Sequence, residues 1–238
     1  MAMISILLCS FMFALRVSAQ ITLGTDANFG VLGASTVTNT GNTVIVGDLG
    51  VYPGNEISGF PPGVVIGTLQ SANCPAVTAQ GDAFTAFTDI NIRASTATLT
   101  GEDLGGKILV AGTYFYDTSA QLTGQLKLDG QNNPDSQFIF QIGTTLTTAS
   151  ASSIILVNGA KGCNVFWAVG SSATLGATTI FLGNIVAQQS ITASNGASVN
   201  GGLYALVAAV SLSKNAINRQ LCLPLQTSST SFVPATTR

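Results

Sequence analysis

The side chains that carry most enzymatic chemistry are scarce in this sequence. It contains no histidine, so Ser-His-Asp and Cys-His catalysis, histidine metal sites and the usual general base at neutral pH are absent. The ten acidic residues are scattered, and the only adjacent pair, Glu102-Asp103, precedes Leu104-Gly105-Gly106 as in a solvated turn. A glycosidase needs two carboxyl groups facing each other across a cleft. The sequence therefore predicts no catalytic residue, no metal site and no cofactor.

Hydroxylated side chains recur instead in short segments with an apolar centre, at 120–124, 144–148, 171–175, 189–193 and 208–212. Neighbouring residues of a strand point to opposite faces. The centres therefore predict an inward column of Leu122, Leu146, Ala173, Ile191 and Val210. One outward column comprises Thr123, Thr147, Thr174, Thr192 and Ser211. Beside it lie Gln121, Thr145, Ser172, Ser190 and Ala209.

These segments require elements that stack them in order. Their spacing of roughly 18 to 27 residues suits one turn of a three-sided β-solenoid, in which stacked coils share a continuous core. The repeat lies within short strands over 99–217, and a second strand-rich segment covers 29–69. A β-sandwich whose strands merely share small residues is the alternative.

A single long helix is predicted between the two strand-rich regions, at about 75–94. Asn73 can cap it, and Pro75 falls where a first-turn proline is tolerated. Apolar residues follow a helical stripe through Ala76, Ala79, Ala83, Phe87, Ile90 and Ala94. We expect Phe87 or Ile90 to be buried against the solenoid.

Several longer motifs resemble a family of microbial ice-binding proteins. They are Ala-Ser-Thr-Val-Thr-Asn-Thr-Gly at 34–41, Gly-Asp-Leu-Gly-Val at 47–51, the segment 164–176 around Phe166-Trp167, and Ser-Val-Asn-Gly-Gly-Leu at 198–203. The similarity covers roughly residues 27–220. It implies a mainly β protein: a right-handed, three-sided β-helix with one long α-helix packed alongside. It also implies a discontinuous assembly, in which the first strand-rich segment joins coils from the end of the chain.

The resemblance further implies a flat face of irregular Thr, Ser, Ala and Asn composition that adsorbs to ice. A Thr-Ala/Gly-X-Thr/Asn motif associated with that face is matched by Thr192-Ala193-Ser194-Asn195, whereas the last coil, 207–210, is more apolar than such motifs. The ice crystal surface is thus the expected partner. The expected ice-binding residues are Thr36, Thr38, Thr68, Gln121, Thr123, Thr145, Thr147, Ser172, Thr174, Ser190, Thr192, Ser194, Asn195, Ala209 and Ser211.

Composition limits the competing functions. Only 8% of residues are charged, 46% are hydrophobic and the net charge is −2, so neither a disordered chain nor electrostatic binding to nucleic acid or an anionic membrane is expected. A polysaccharide lyase or hydrolase would need clustered Asp, Arg or Lys, and only eight residues are basic. An extracellular structural or adhesive β-helix remains the alternative function. We expect a monomer.

The N-terminus, residues 1–19, is predicted to be a secretory signal peptide. Its apolar stretch, 4–15, is too short to span a bilayer, and Val17-Ser18-Ala19 fits the small-residue cleavage rule. No Lys or Arg precedes that stretch, so an uncleaved anchor is the alternative. The expected mature protein is extracellular, with one domain at 20–223 and a flexible tail at 224–238.

Cysteine usage fits an oxidising compartment only in part. Removal of the signal peptide takes Cys9 with it and leaves Cys74, Cys163 and Cys222. Three cysteines allow at most one intramolecular disulfide. We favour Cys163–Cys222, because Cys222 follows the last strand and could tie down the C-terminus, while the other pairings stay open.

Overall fold

A computed structural model describes residues 20–219. The predicted signal peptide, the predicted tail, Cys9 and Cys222 lie outside these residues. Seven strands come first: β1 (Phe29–Gly33), β2 (Thr36–Thr40), β3 (Val44–Val46), β4 (Asp48–Val51), β5 (Glu56–Ser58), β6 (Val64–Ile66) and β7 (Leu69–Ser71). The helix α1 (Cys74–Asn91) follows. Short 3-10 helices span Gly24–Asn28 and Gly162–Asn164.

The remaining strands follow the helix in repeating groups of three. They are β8 (Ala97–Thr98), β9 (Ile108–Val110), β10 (Gly112–Tyr116), β11 (Ala120–Leu122), β12 (Gln125–Asp129), β13 (Phe138–Ile142), β14 (Leu146–Thr148), β15 (Ser153–Val157), β16 (Val165–Val169), β17 (Ala173–Leu175), β18 (Ile180–Leu182), β19 (Asn184–Ala187), β20 (Ile191–Ala193), β21 (Ser198–Asn200), β22 (Leu203–Ala205), β23 (Val210–Ser213) and β24 (Ala216–Asn218).

All of these strands pair in parallel, in three sheets. Sheet A has nine strands in the order β7-β4-β1-β22-β19-β16-β13-β10-β8. Sheet B has seven, β11-β14-β17-β20-β23-β2-β5, and sheet C has eight, β6-β3-β24-β21-β18-β15-β12-β9. Successive strands of one coil pass from sheet A to B to C. The three-sided β-helix is therefore confirmed, and the sandwich alternative is wrong.

The coils stack in an order that differs from their order along the chain. Strands β1, β2 and β3 pair with β22, β23 and β24, so the first strand-rich segment continues the stack beyond the last coil. This confirms the discontinuous assembly. Because β7 and β8 lie at opposite ends of sheet A, the chain has to travel the length of the stack between them. Helix α1 makes that connection.

The core fills the space between the sheets. Its centre is a row of aromatic side chains. On the inner face of sheet A, Phe140 stacks on Trp167 with ring centroids 3.8 Å apart and planes 6° apart, and Tyr114 lies 5.5 Å from Phe140. Phe181 of sheet C extends the row, 5.2 Å from Trp167. The indole N–H of Trp167 donates to the Leu182 carbonyl at 3.2 Å. The row therefore places large rings in successive coils without leaving the indole nitrogen unpaired.

Helix α1 covers the outer face of sheet A. Asn73 caps it by accepting a hydrogen bond from the Ala76 amide at 3.3 Å, as predicted. The predicted stripe is buried at Ala76, Ala79, Ala83 and Ile90, and Ala86 joins it. The burial of Ile90 confirms the expectation that Phe87 or Ile90 packs on the solenoid, and one detail of the prediction, the end of the stripe, is wrong. Ala94 is exposed beyond the end of the helix, and Phe87 is half-buried because it lies at the border between two apolar clusters.

Two glutamines fasten the helix to the solenoid. The Gln141 side-chain amide, on the outer face of β13, donates to the Ile90 and Arg93 carbonyls at 2.7 and 2.8 Å, which satisfies acceptors at the helix C-terminus. Gln80 donates from the helix to the Ala205 and Leu206 carbonyls at 2.9 and 3.1 Å. Within residues 20–219, no helix is both long and apolar enough to cross a membrane.

One carboxyl group is buried where the segment before β1 meets the helix. Asp26 has no exposed surface, and neither of its carboxylate oxygens has a hydrogen-bond partner among the described residues. Burial, with a smaller contribution from the nearby Asp82 charge, raises the Asp26 pKa from 3.8 to about 9. Asp26 is therefore neutral in the folded protein near pH 7.

Because Ile90 is 0% exposed beneath the docked helix, shortening its side chain should lower the stability of the protein. We expect Ile90→Ala to lower the free energy of unfolding by about 2–5 kcal/mol, because it removes buried methyl groups and leaves a cavity. Phe84, 59% exposed on the same helix, provides the control, and Phe84→Ala should change stability by less than about 0.5 kcal/mol. Urea denaturation measures both. Equal small effects would mean that the helix is not docked.

The Asp26 environment predicts a pH dependence of stability. Below pH 3.8 the carboxyl is protonated in both states; from there to about pH 9 only the unfolded state loses its proton. Stability should therefore fall as pH rises through this range, by up to about 1.4 kcal/mol per pH unit. Asp26→Asn should flatten the decline, so that the variant exceeds the original protein in stability at pH 8 but not at pH 4. Asp89→Asn, on the exposed side of the helix, is the control. Parallel pH profiles for Asp26→Asn and the original would contradict the burial.

Candidate functional site

The outward side of sheet B carries one continuous column of short polar side chains. Parallel register places its seven members directly beside one another, one from each strand. We call this set the hydroxyl column; in spatial order it is Gln121, Thr147, Thr174, Thr192, Ser211, Thr38 and Ser58. At a strand spacing of 4.7–4.9 Å it is about 29 Å long. The first four members are exposed and the last three are half-buried.

The first coil corrects the predicted alignment. Gln121, not Thr123, pairs with Thr147, and Leu122 pairs with Thr148. The Asp103 carboxylate accepts hydrogen bonds from the Thr123 and Gly105 amides at 2.9 and 2.7 Å, and β11 ends at Leu122. A shift of two residues leaves inward and outward faces unchanged, so the sequence pattern could not detect it. Thr123 consequently flanks the column, where its hydroxyl accepts from the Gln121 amide at 3.1 Å.

Most of the other predicted residues lie beside the hydroxyl column. Two positions before its members, on the same face, are the half-buried Thr145, Ser172, Ser190, Ala209 and Thr36. Ser194 lies two positions after Thr192, and Asn195 is exposed in the turn that follows. Thr68 is elsewhere: it is at the corner between β6 and β7, where its amide donates to the Asp48 carboxylate at 2.8 Å. The prediction that Thr68 belongs to this face is therefore wrong.

Ser58 was missed in the sequence, although it extends the column by one coil. Its strand, Glu56-Ile57-Ser58, pairs with Thr36-Val37-Thr38. The alternation of an apolar centre with polar neighbours was the available signal. It was obscured because this short strand lies in the segment before the helix, far in sequence from the repeats that it joins.

The inner side of sheet B is apolar, which separates the core from the site. Ala120, Leu146, Ala173, Ile191 and Val210 form one buried column, since they pair in register and each is at most 1% exposed. Along each strand of sheet B, one side chain therefore packs in the core and the next lies on the outward polar face. Changing a member of the hydroxyl column leaves this buried column untouched.

A second group of hydroxyls and amides, buried at the corner between sheets B and C, was not identified from the sequence. Ser152, Thr179, Asn215 and Thr43 each directly precede a strand of sheet C. Thr179 lies 2.8 Å from the Thr148 hydroxyl, which accepts from the Gly176 amide at 2.9 Å. These bonds satisfy backbone groups that turn away from the ladder.

The same corner continues through Asn215. The Asn215 side-chain amide donates to the Ser194 and Ala197 carbonyls at 2.8 and 3.1 Å. Its backbone N–H donates to the Thr43 hydroxyl at 3.0 Å. Neighbouring coils are thereby linked by side chains as well as by backbone. The corner fixes how the polar face of sheet B ends and where sheet C begins.

Charged groups stand only at the borders of sheet B. Glu56 is exposed on the last strand, Lys214 lies just beyond β23, and Asp103 bridges to Gln121 at the other end. Burial alone would raise the pKa of Asp103, but hydrogen bonds from Thr123 and Gly105 outweigh it and hold the pKa below its usual value. Thr147, Thr174, Thr192, Ser211 and Thr38 consequently form an uncharged stretch.

The acidic residues do not assemble a reactive centre in the part of the chain that the structure describes. Glu102 forms a salt bridge with Lys107 at the surface, as expected of a solvated turn. No group of three or more metal-ligating side chains occurs among residues 20–219. Among residues 20–219 the most regular arrangement of polar side chains is the hydroxyl column, whose uncharged groups can bind by contact and hydrogen bonding.

Comparison with known proteins places this geometry in context. A family model described as ice-binding-like matches residues 31–218. An ice-binding protein of Nostoc sp. (strain HG1) is 49% identical over 193 residues, covering 81% of this chain and 71% of that protein. The crystal structure of an ice-binding protein from the Antarctic ascomycete Antarctomyces psychrotrophicus superposes with a TM-score of 0.83 at 43% identity, over 85% of this chain and all of that one. An ice-binding protein from an Arctic yeast, whose structure was solved as the basis of its antifreeze activity, gives a TM-score of 0.80 at 25% identity, over 92% and 98% of the two chains.

Proposed function

The chain belongs to the ice-binding-like family, and from that premise we propose that it adsorbs to ice through the hydroxyl column of sheet B and thereby inhibits ice growth and recrystallisation. The observation that carries the assignment to this face is the register. Seven coils present one short polar side chain each at the same position, with no charge between Thr147 and Thr38. Thr36 and the flanking residues Thr145, Ser172, Ser190 and Ala209 widen the proposed contact.

The chemistry of threonine suits an ordered water layer. Its branched side chain is stiff about χ1, so its methyl and hydroxyl groups keep fixed positions relative to the sheet. The strand spacing of 4.7–4.9 Å repeats those positions at an interval close to the spacing of water molecules in ice. Methyl groups favour cage-like water, and hydroxyls anchor it. A charged group would hydrate strongly and disturb that order, which is why the uncharged stretch matters.

Rigidity of the scaffold supports adsorption. The column stands on a parallel ladder whose reverse side is buried, so few side chains lose freedom when they contact a surface. Ice that continues to grow between adsorbed molecules becomes curved, and further growth is locally unfavourable. In this scheme the protein acts as a binder, so it requires neither a catalytic group nor a cofactor, and a monomer suffices.

Secretion is part of the proposal. Residues 1–19 have the pattern of a signal peptide, and Cys163 is disulfide-bonded, as expected in an oxidising compartment. Cys74 is a free, exposed thiol and is not the partner of Cys163. Cys222 is the partner that we favour. The extracellular location would put the protein in contact with external ice.

Blocking the middle of the column tests the assignment. We expect Thr192→Tyr to remove most of the thermal hysteresis and the recrystallisation inhibition, because the ring holds the face away from the ice lattice. Its unfolding free energy should change by less than about 0.5 kcal/mol, because Thr192 is exposed. Nanolitre osmometry and thermal denaturation measure the two effects.

Thr85→Tyr is the matched control for this substitution. Thr85 is exposed on helix α1, outside sheets B and C, with its hydroxyl bonded within the helix to the Gly81 carbonyl. The control should keep full activity. Full activity in Thr192→Tyr would rule out the hydroxyl column, and loss only through unfolding would show that Thr192 belongs to the core. A chain without any ice affinity would favour a structural or adhesive β-helix.

Processing provides a separate test. The secreted protein should begin near Gln20, because cleavage after Val17-Ser18-Ala19 follows the small-residue rule. Mass spectrometry of the protein recovered from the culture medium measures the N-terminus. Retention of residues 1–19 would contradict the signal peptide and favour an uncleaved anchor.

A further inference from the structure

The outward side of sheet C is apolar to an unusual degree for a protein surface. Of the twelve large hydrophobic side chains that are exposed among residues 20–219, seven lie on it. Their exposed fractions reach 52% at Ile180, 59% at Ile66 and 62% at Ile108. All seven are Val or Ile: Val44, Val46, Val64, Ile66, Ile108, Val110 and Ile180. A concentration of exposed apolar side chains on one side of a protein marks a contact site.

Ile108 and Val110 lie apart, on β9 beyond β12, where they pair with Lys127 and Asp129. Register arranges the other five residues, with uncharged neighbours, in two columns. We call them together the aliphatic face. The first column runs Val64, Val44, Ala216, Ser198, Ile180 and Ser153. The second runs Ile66, Val46, Asn218, Asn200 and Leu182. Charged side chains enter sheet C only beyond these strands, at Lys127 and Asp129 of β12. Serine and asparagine therefore supply the polar atoms, and branched aliphatic groups supply the rest.

We propose that the aliphatic face is a second ice-adsorbing surface, which acts beside the hydroxyl column. The inference rests on the proposed function, since it extends ice binding to another side of the same solenoid. The strand spacing is that of sheet B, and Val and Ile are as stiff about χ1 as threonine. Their methyl groups favour cage-like water, and Ser198, Asn200 and Asn218 offer hydrogen bonds to anchor it.

The dimensions of the aliphatic face argue against a second copy of this chain. Six strands at 4.7–4.9 Å and three residues at 3.2–3.4 Å give roughly 24 Å by 10 Å. That corresponds to a few hundred Å² on each copy, whereas a stable interface buries about 800 Å² per partner. Ice differs from a protein partner because the crystal grows around the adsorbed molecule, so retention does not depend on this area alone.

Its chemistry argues against other ligands. No aromatic side chain points outward from sheet C among the described strands, so bases have no platform on which to stack. Lys127 is the only basic side chain within those strands, which gives no attraction to nucleic acid or an anionic membrane. A repeating, uncharged and rigid aliphatic surface is left, and its complement is a repeating arrangement of water.

The two faces are held together by the buried corner described above. Thr179 links that corner to β14 of sheet B through the Thr148 hydroxyl at 2.8 Å, and Ile180 of the aliphatic face follows directly in sequence. Asn215 likewise precedes Ala216 and bonds to the Ser194 carbonyl at 2.8 Å. A crystal that advances past the corner would therefore meet both faces at a fixed angle.

Ice-plane labelling tests the proposal on the full-length mature protein. A dye attached to Cys74, the exposed thiol at the start of the helix on sheet A, leaves both faces free. We expect the labelled protein to stain two sets of planes on a single-crystal ice hemisphere. Thr192→Tyr should remove one set and Ile180→Lys the other, and the double variant should stain neither. Ile92→Lys, at a 75% exposed isoleucine beside the helix end, is the matched control and should keep both sets.

The possible outcomes separate this inference from the proposed function. If Thr192→Tyr alone removes all staining and Ile180→Lys changes nothing, the aliphatic face does not bind ice and the hydroxyl column does. If Thr192→Tyr changes nothing, the proposed function of the hydroxyl column fails. Light scattering that shows a dimer, converted to a monomer by Ile180→Lys with staining unchanged, would assign the face to a second copy. A second set of planes that appears only after removal of residues 224–238 would mean that the tail covers the face, which also overturns the proposal.

Discussion

Parallel pairing of the first three strands with the last three fixes the plan of this molecule. Because β1 to β3 extend the stack beyond β22 to β24, the chain has to return along the whole stack before it can begin the remaining coils. An α-helix covers much of that return in a single element, because its 18 residues rise about 27 Å. The path needs a side to follow, and it follows sheet A. The pairing of β1–β3 with β22–β24 thus makes a return helix necessary, and that helix buries the outer face of one of the three sheets.

Burial of sheet A then determines what the other two sheets can do. Its outward residues are apolar because Ala79, Ala83 and Ile90 of the helix pack on them. Sheets B and C remain open, and on both the side-chain period of two separates core from surface. Sheet B presents short polar groups and sheet C presents Val and Ile at the same strand spacing. The scaffold is therefore one repeating ladder that offers two different chemistries to solvent.

The sequence predicted those parts of the fold that depend on local chemistry or on parity. The Asn73 cap, the helical stripe and the inward positions at Leu146, Ala173, Ile191 and Val210 depend on nothing beyond the period of two or of 3.6. The solenoid itself, its seam and its covering helix rested mainly on the family resemblance. Composition alone would have left a sandwich equally acceptable.

The remaining details depend on contacts that a pattern does not record. A two-residue shift at Gln121 preserves every inward and outward assignment, and only the hydrogen bonds from the Thr123 and Gly105 amides to Asp103 reveal it. Thr68 has the composition of the face but sits at another corner, held by Asp48. Ser58 and the aliphatic columns join residues far apart in sequence, which no local repeat can align. Sequence thus fixes which way a side chain points more firmly than which side chain lies beside it.

The separation of core from surface also explains how one solenoid can present two chemically different outward surfaces without loss of stability. Large apolar rings fill the interior, with Phe140 and Trp167 stacked 3.8 Å apart, so the outward residues are free of any packing duty. Hydrogen bonds that sustain the turns are satisfied inside the corner, by Thr179 and Asn215, rather than on the faces. The exposed hydroxyls of Thr147, Thr174 and Thr192 therefore remain available for water. Because these outward side chains neither fill the core nor bond to the turns, their chemistry can change without disturbing the fold.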